Sequence, residues 1–134
     1  MRLAQLIYTS RPFGFDEAVL DDILVAARRN NARRGLTGAL ICRADLYMQL
    51  LEGPRDVLTA TLASILRDDR HIEVSIVHCG DTAARLFPRW SMRDDPPRSW
   101  MWSREEVRAG AARDASAADA LAVFQRLALE TPEG

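Results

Sequence analysis

Two apolar runs, LTGALIC (36–42) and LYMQLLE (46–52), stand only three residues apart, and a stretch of helical periodicity flanks each on its outer side. The connecting Arg43, Ala44 and Asp45 are too few for a crossover, so the two runs are expected to pair as an antiparallel hairpin. A hairpin held between two helices leaves few folds open, because each helix must lie back over the sheet to reach the next strand.

Upstream, LAQLIY (3–8) alternates as a first strand, with Ala4, Leu6 and Tyr8 on one face and Ser10 continuing that parity. RPFGF then breaks it. From Asp16 to about Arg34, Val19, Leu20, Ile23, Leu24, Ala26 and Ala27 form a helical stripe, and Gly35 supplies the stop. Downstream, Gly53 and Pro54 mark the start of a second helix whose buried side is expected to be Val57, Leu58, Thr61, Leu62, Ile65 and Leu66. IEVSIVHC (72–79) reads as a fourth strand and RWSM (89–92) as a short fifth. This order predicts an α+β fold: a ferredoxin-like β-α-β-β-α-β antiparallel sheet with a fifth strand and two helices on one face.

RDDPPRSW (93–100) is charged and proline-rich and reads as a linker. A core domain over residues 1–93 is therefore expected, followed over 94–134 by a helical C-terminal extension with a short helix near 103–111 and a longer one from Ser116 to Leu129. The stripe Ala120, Leu121, Phe124, Leu127 and Ala128, with Trp100, Met101 and Trp102, must cover the open sheet face or mediate association with a partner.

With 134 residues, 48% of them apolar, the chain suits one compact domain with a real core. A net charge of -1 and a pI near 6.1 create no field favouring nucleic acid or an anionic membrane. No stretch approaches the roughly 18 apolar residues of a membrane span. Cys42 and Cys79 form no CxxC pair and are expected to act as small core residues in a reduced, cytoplasmic compartment. The first ten residues lack the long apolar region of a signal peptide.

Against this pattern a few polar residues stand out. Gln49 interrupts an otherwise apolar strand, and a buried amide costs free energy unless it finds partners. Asn30 and Asn31 continue the apolar stripe of the first helix into its last turn. Each has a bland reading, Gln49 bonding a neighbouring backbone group and the asparagines serving the helix terminus. Taken together with Tyr8 and Ser10, they make an uncharged set of donors and acceptors on the helix-covered side. No Ser-His-Asp spacing, no paired carboxylates in apolar surroundings and no His/Cys/carboxylate cluster accompanies them. Such a set suits a flat heterocycle whose edge alternates N–H and C=O groups, as a flavin's does. Two other readings remain open. Arg11 after the first strand raises a phosphate-handling enzyme, and the basic run Arg28, Arg29, Arg33 and Arg34 raises an RNA-binding module on the same scaffold.

Five segments in consistent order, LIYTSR, ARRNNARRGLTGALIC, YMQLLEGP, LRDDRH and RLFPRWSM, together resemble the BLUF family of flavin-using blue-light sensors over about residues 3–93. The resemblance implies a short photoreceptor with no attached enzyme domain, one that is not itself an enzyme. In it Tyr8 would be the electron donor, and Gln49 the amide linking that phenol to the flavin. Asn31, Asn30, Ser10 and Ile23 would contact the ring or its hydrogen-bond network, and Asp68, Arg70 and His71 would lie near the cofactor's tail. Light-driven electron and proton transfer from Tyr8 would rearrange the Gln49 hydrogen bonds, and Trp90 and Met92 on the fifth strand would pass the signal on. The cofactor implied is FAD, with FMN or riboflavin also open because no GxGxxG or GKS/T loop cradles a diphosphate. The implied partners are an unidentified downstream protein and further copies of the chain, with no nucleic acid and no membrane.

Overall fold

The computed structural model describes residues 3–12, 17–43, 45–67, 71–88, 93–95 and 101–130; residues 12, 17–21, 23, 71–72 and 93–95 are described by their backbone alone. The order is β1 (Leu3–Pro12), α1 (Glu17–Arg34), β2 (Thr37–Arg43), β3 (Leu46–Pro54), α2 (Arg55–Arg67), β4 (His71–Thr82), β5 (Arg93–Asp95), α3 (Arg104–Arg108) and α4 (Ala117–Leu129). The strands lie in the order β4-β1-β3-β2-β5, with β1 antiparallel to both β3 and β4, and β2 antiparallel to β3. This is the ferredoxin-like arrangement. β5 runs parallel to β2, so the five-stranded sheet is mixed rather than wholly antiparallel.

Several boundaries differ from the sequence-based expectation. Gly53 and Pro54 do not open the second helix. They extend β3, facing Ala4 and Leu3, and pairing stops at Pro54, which has no N–H to offer the ladder. β5 lies at Arg93–Asp95, inside the stretch read as a linker, while RWSM (89–92) lies outside the described residues. A charged sequence does not forbid a short edge strand, because the pairing is made by backbone groups. Leu66 is 55% exposed instead of buried: the packed stripe of α2 runs through Leu58, Leu62 and Ile65, and Leu66 in the last turn stands off it. Cys79, on the edge strand β4, is exposed, and only Cys42 joins the core.

Period-two alternation divides the sheet residues between two cores. On one face Ala4, Leu6, Tyr8, Leu40, Tyr47 and Leu51 pack under Leu24 of α1 and Leu58 of α2. On the other, Ile7, Ala39, Ile41, Met48 and Leu50 meet Ala120, Phe124 and Leu127 of α4, with Met101 and Trp102 packed at the margin. α1 closes with Gly35 at φ 73° and the Leu36 amide donating to the Asn31 carbonyl at 2.9 Å, the hydrogen bond of a left-handed helix cap. Ser103 and Ser116 cap the starts of α3 and α4, accepting from the Glu106 and Asp119 amides.

A carboxylate is buried beside the second core. Glu52 is 0% exposed, and its oxygens accept from Gln5 Nε2 at 3.0 Å, from the Leu86 amide at 2.8 and 2.9 Å and from the Phe87 amide at 3.0 Å. Arg85 reinforces this junction by donating to the carbonyls of Glu52 and Gly35 and to the Thr37 hydroxyl. Phe87 then meets Phe124 of α4 edge to face, with ring centroids 6.5 Å apart. Glu52 thus fastens the segment after β4 to the end of β3. At the other end of β3, Arg43 grips Asp45 with two hydrogen bonds and donates to the Trp102 carbonyl at 3.0 Å. Partial burial pushes the Asp45 carboxyl up, but the Arg43 hydrogen bond and charge outweigh it and leave the group below its ordinary 3.8.

Both anchors can be tested by removing a charge. Glu52→Gln leaves at least one amide donor poorly served and should lower stability by about 2 kcal/mol in urea unfolding, with faster hydrogen exchange at Leu86 and Phe87. Asp45→Asn should cost about 1 kcal/mol at neutral pH. Because the folded state favours the Asp45 carboxylate, its contribution is complete above pH 3.8 and disappears as the pH falls through the lower folded value; unfolding curves of wild type and variant should converge there.

Candidate functional site

β1 and β3 bring two distant residues face to face. Tyr8 and Gln49 are Cα partners in the antiparallel register, both are buried, and the Tyr8 phenol donates to Gln49 Oε1. Their shared parity puts both on the face beneath α1 and α2, where Tyr8 belongs to the core cluster that includes Leu24 and Leu58. The neighbours Met48 and Leu50 point to the other core, so the single amide stands on the helix-covered side of an otherwise apolar strand. With Oε1 accepting from the phenol, the Nε2 end of the amide is left to donate elsewhere.

The two asparagines part company. Asn31 is buried and continues the packed stripe of Leu24 and Ala27, two turns beyond the first and one beyond the second along α1. Asn30 is half-buried, and its Oδ1 accepts from Arg33 Nη2 at 3.3 Å. Ser10 is buried beside a register irregularity between Thr9 and Arg11, and it borders a cavity on the α3 side of the sheet. The side chains of Ile23 and His71, and all of Asp68, Arg70, Trp90 and Met92, lie outside the described residues.

Tyr8, Gln49 and Asn31 give this face hydroxyl and amide groups without a formal charge, within walls of leucine. That donor set fits the polar edge of a flavin ring, which needs both donors and acceptors, and it offers no nucleophile with an adjacent base. Among the described residues there is no group of His, Cys, Asp and Glu that could hold a metal ion. Arg11, the residue that raised phosphate chemistry, pairs with Glu73 at 3.1 Å. β1 and β3 are buried on both faces, which removes the exposed aromatic platform that an RNA-binding sheet of this topology uses. No described helix is long and apolar enough to cross a membrane.

Sequence reasoning does not single out Glu52. Its signal is present in LYMQLLE, where Glu52 shares the parity of Met48 and Leu50 and so has to be a carboxylate on an apolar face.

Comparison with known proteins bears on the same segment. The sequence model of the BLUF family, described as sensors of blue-light using FAD, matches residues 3–93. The chain is 35% identical over 74 residues to the photoactivated adenylate cyclase subunit beta of Euglena gracilis, covering 54% of this chain and 9% of that protein. It is 32% identical over 92 residues to the blue light- and temperature-regulated antirepressor BluF of Escherichia coli, covering 67% of this chain and 23% of that one. It therefore spans less than a quarter of either relative. The dark-state structure of BlrB, a BLUF protein, superposes with a TM-score of 0.79 at 32% identity, covering 97% of this chain and 98% of that one. The matched segment contains the strands and helices that bury Tyr8 against Gln49, and the chain belongs to the BLUF family of flavin-binding blue-light sensors.

Proposed function

We propose that this chain is a blue-light photoreceptor whose switch is the Tyr8–Gln49 pair. The observation that carries the reading is the buried phenol-to-amide hydrogen bond between facing strands, on the side covered by both helices. Residues 1–93 form the sensor in this reading and residues 94–134 an extension that relays its state. The ring is held by Asn31, Asn30, Ser10, Ile23 and Gln49, with Asp68, Arg70 and His71 toward the tail. FAD is the preferred cofactor, as in the family's description, while FMN or riboflavin would present the same ring to these residues.

A bound flavin supplies absorption of blue light and, once excited, a strong electron acceptor. Tyr8 gives up an electron and, through its hydrogen bond, its phenolic proton. Because the phenol donates to Oε1, a proton relayed by Gln49 enters at Oε1 and leaves from Nε2. When electron and proton return to Tyr8, the amide is left with its donor and acceptor ends exchanged, by rotation or as its imidic tautomer. The surrounding leucines exclude water, which would otherwise compete for both ends of the amide.

The altered amide biases the segment bearing Trp90 and Met92, and from there the C-terminal extension, toward a partner protein or a second copy of the chain. Relatives that carry this segment within a photoactivated cyclase subunit or an antirepressor support a signalling output of this kind. The chain acts in the cytoplasm as a sensor and not as a catalyst.

Purified protein should be yellow, and blue light should produce a small red shift that reverses in the dark. Tyr8→Phe should lose about 1 kcal/mol of stability, retain flavin and show no shift. A Tyr8→Phe protein with a normal light response would remove Tyr8 as the donor.

A further inference from the structure

A cavity of about 440 Å³ opens on the face of the sheet away from α1 and α2, between the end of β1, the start of β3 and the α3 region. Of its lining residues, the photosensory reading uses Ser10 alone. Thr9 forms part of its lining, is 3% exposed, and its hydroxyl has no hydrogen-bond partner among the described residues. Arg104 and Arg108, one turn apart on α3, also line the cavity, and neither makes an ion pair or hydrogen bond among the described residues. Arg104 contributes only to the field that keeps the Asp45 carboxyl low.

Two further guanidiniums complete the wall. Arg11 is paired with Glu73, a non-glycine residue held at φ 57°, a left-handed conformation that is uncommon for glutamate. Arg113 is set by the turn after α3, where Gly110 stands at φ 96° and a Cβ in its place would come within 2.5 Å of Arg113 Nη2. Of the four guanidiniums on the lining, Arg11 is paired with Glu73 and Arg113 with Asp114 at 3.1 Å, which leaves Arg104 and Arg108 as the two outside a described ion pair.

We propose that this cavity binds a small anion bearing phosphate groups, gripped by Arg104 and Arg108 with the Thr9 hydroxyl donating from below. Guanidinium forks match phosphate oxygens in pairs, and the volume lies in the usual small-ligand range of roughly 300–1,000 Å³. A hydroxyl on the same lining as the two arginines favours a compact group with several acceptors over the single carboxylate of a peptide side chain. Ser10 borders the same cavity, two residues beyond Tyr8, so the ligand rests against the strand of the proposed electron donor. The site does not depend on the photochemical reading and is tested in the dark.

The experiment is a titration of the full chain with inorganic pyrophosphate at constant ionic strength, followed by amide NMR. Saturable shifts are expected at Thr9, Arg11, Gly110 and Arg113, weakened roughly tenfold or more in Arg104→Ala/Arg108→Ala. Both side chains are exposed, so the variant should keep the wild-type melting temperature; Arg108→Gln alone, with a smaller weakening, gives the same reading if it does not. The proposal is overturned by the absence of saturation up to about 10 mM, or by binding unchanged in the variant. Equal binding of sulfate and chloride, or tighter binding of a hexaglutamate peptide at the same residues, overturns it as well.

Discussion

The antiparallel register between β1 and β3 is the constraint on which the site depends. Side chains alternate along a strand, so pairing Tyr8 with Gln49 places both beneath the helices and sends Ile7, Met48 and Leu50 to the opposite core. A slip of one residue would exchange the faces, burying leucines where the amide belongs and driving the phenol against α4. The register holds because both faces of these strands are buried, and any alternative would put polar groups into two cores at once.

The second core is more than a cover for the sheet. Glu52 lies three residues after Gln49 on the same strand, with its side chain on the other face. Its carboxylate collects the Gln5 amide and the backbone N–H groups of Leu86 and Phe87. Phe87 in turn packs edge to face on Phe124. One strand therefore carries the amide of the site on one side and the anchor of the following segment and α4 on the other. Hydrogen bonds to a buried carboxylate are short in reach and strongly directional, which makes this junction stiff.

The polar face is legible in the sequence because its residues break apolar patterns: one amide in a strand of leucines, and amides continuing a helical stripe. The boundaries are less legible. Gly53 and Pro54 carry the local signature of a helix start, yet β1 continues its pairing with β3 through both of them. β5 at Arg93–Asp95 escapes a sequence reading because a charged triplet has no strand pattern of its own, and its pairing with β2 is made by backbone. Leu66 and Cys79 look like core residues in sequence, and their exposure follows from the last-turn position of Leu66 on α2 and from the edge position of β4.

By itself the sequence determined the order of elements, the parity of Tyr8 and Gln49 on their strands and the family to which residues 3–93 belong, since periodicity and motif order are local properties of the chain. Only the tertiary structure decided that Tyr8 donates to Gln49 across the ladder, and that of the two asparagines Asn31 is the buried one. It also decided that Glu52 anchors the far side and that arginines from β1, α3 and the following turn surround one cavity. Each of these joins residues from separate elements, and their separation is set by packing, which no local pattern encodes.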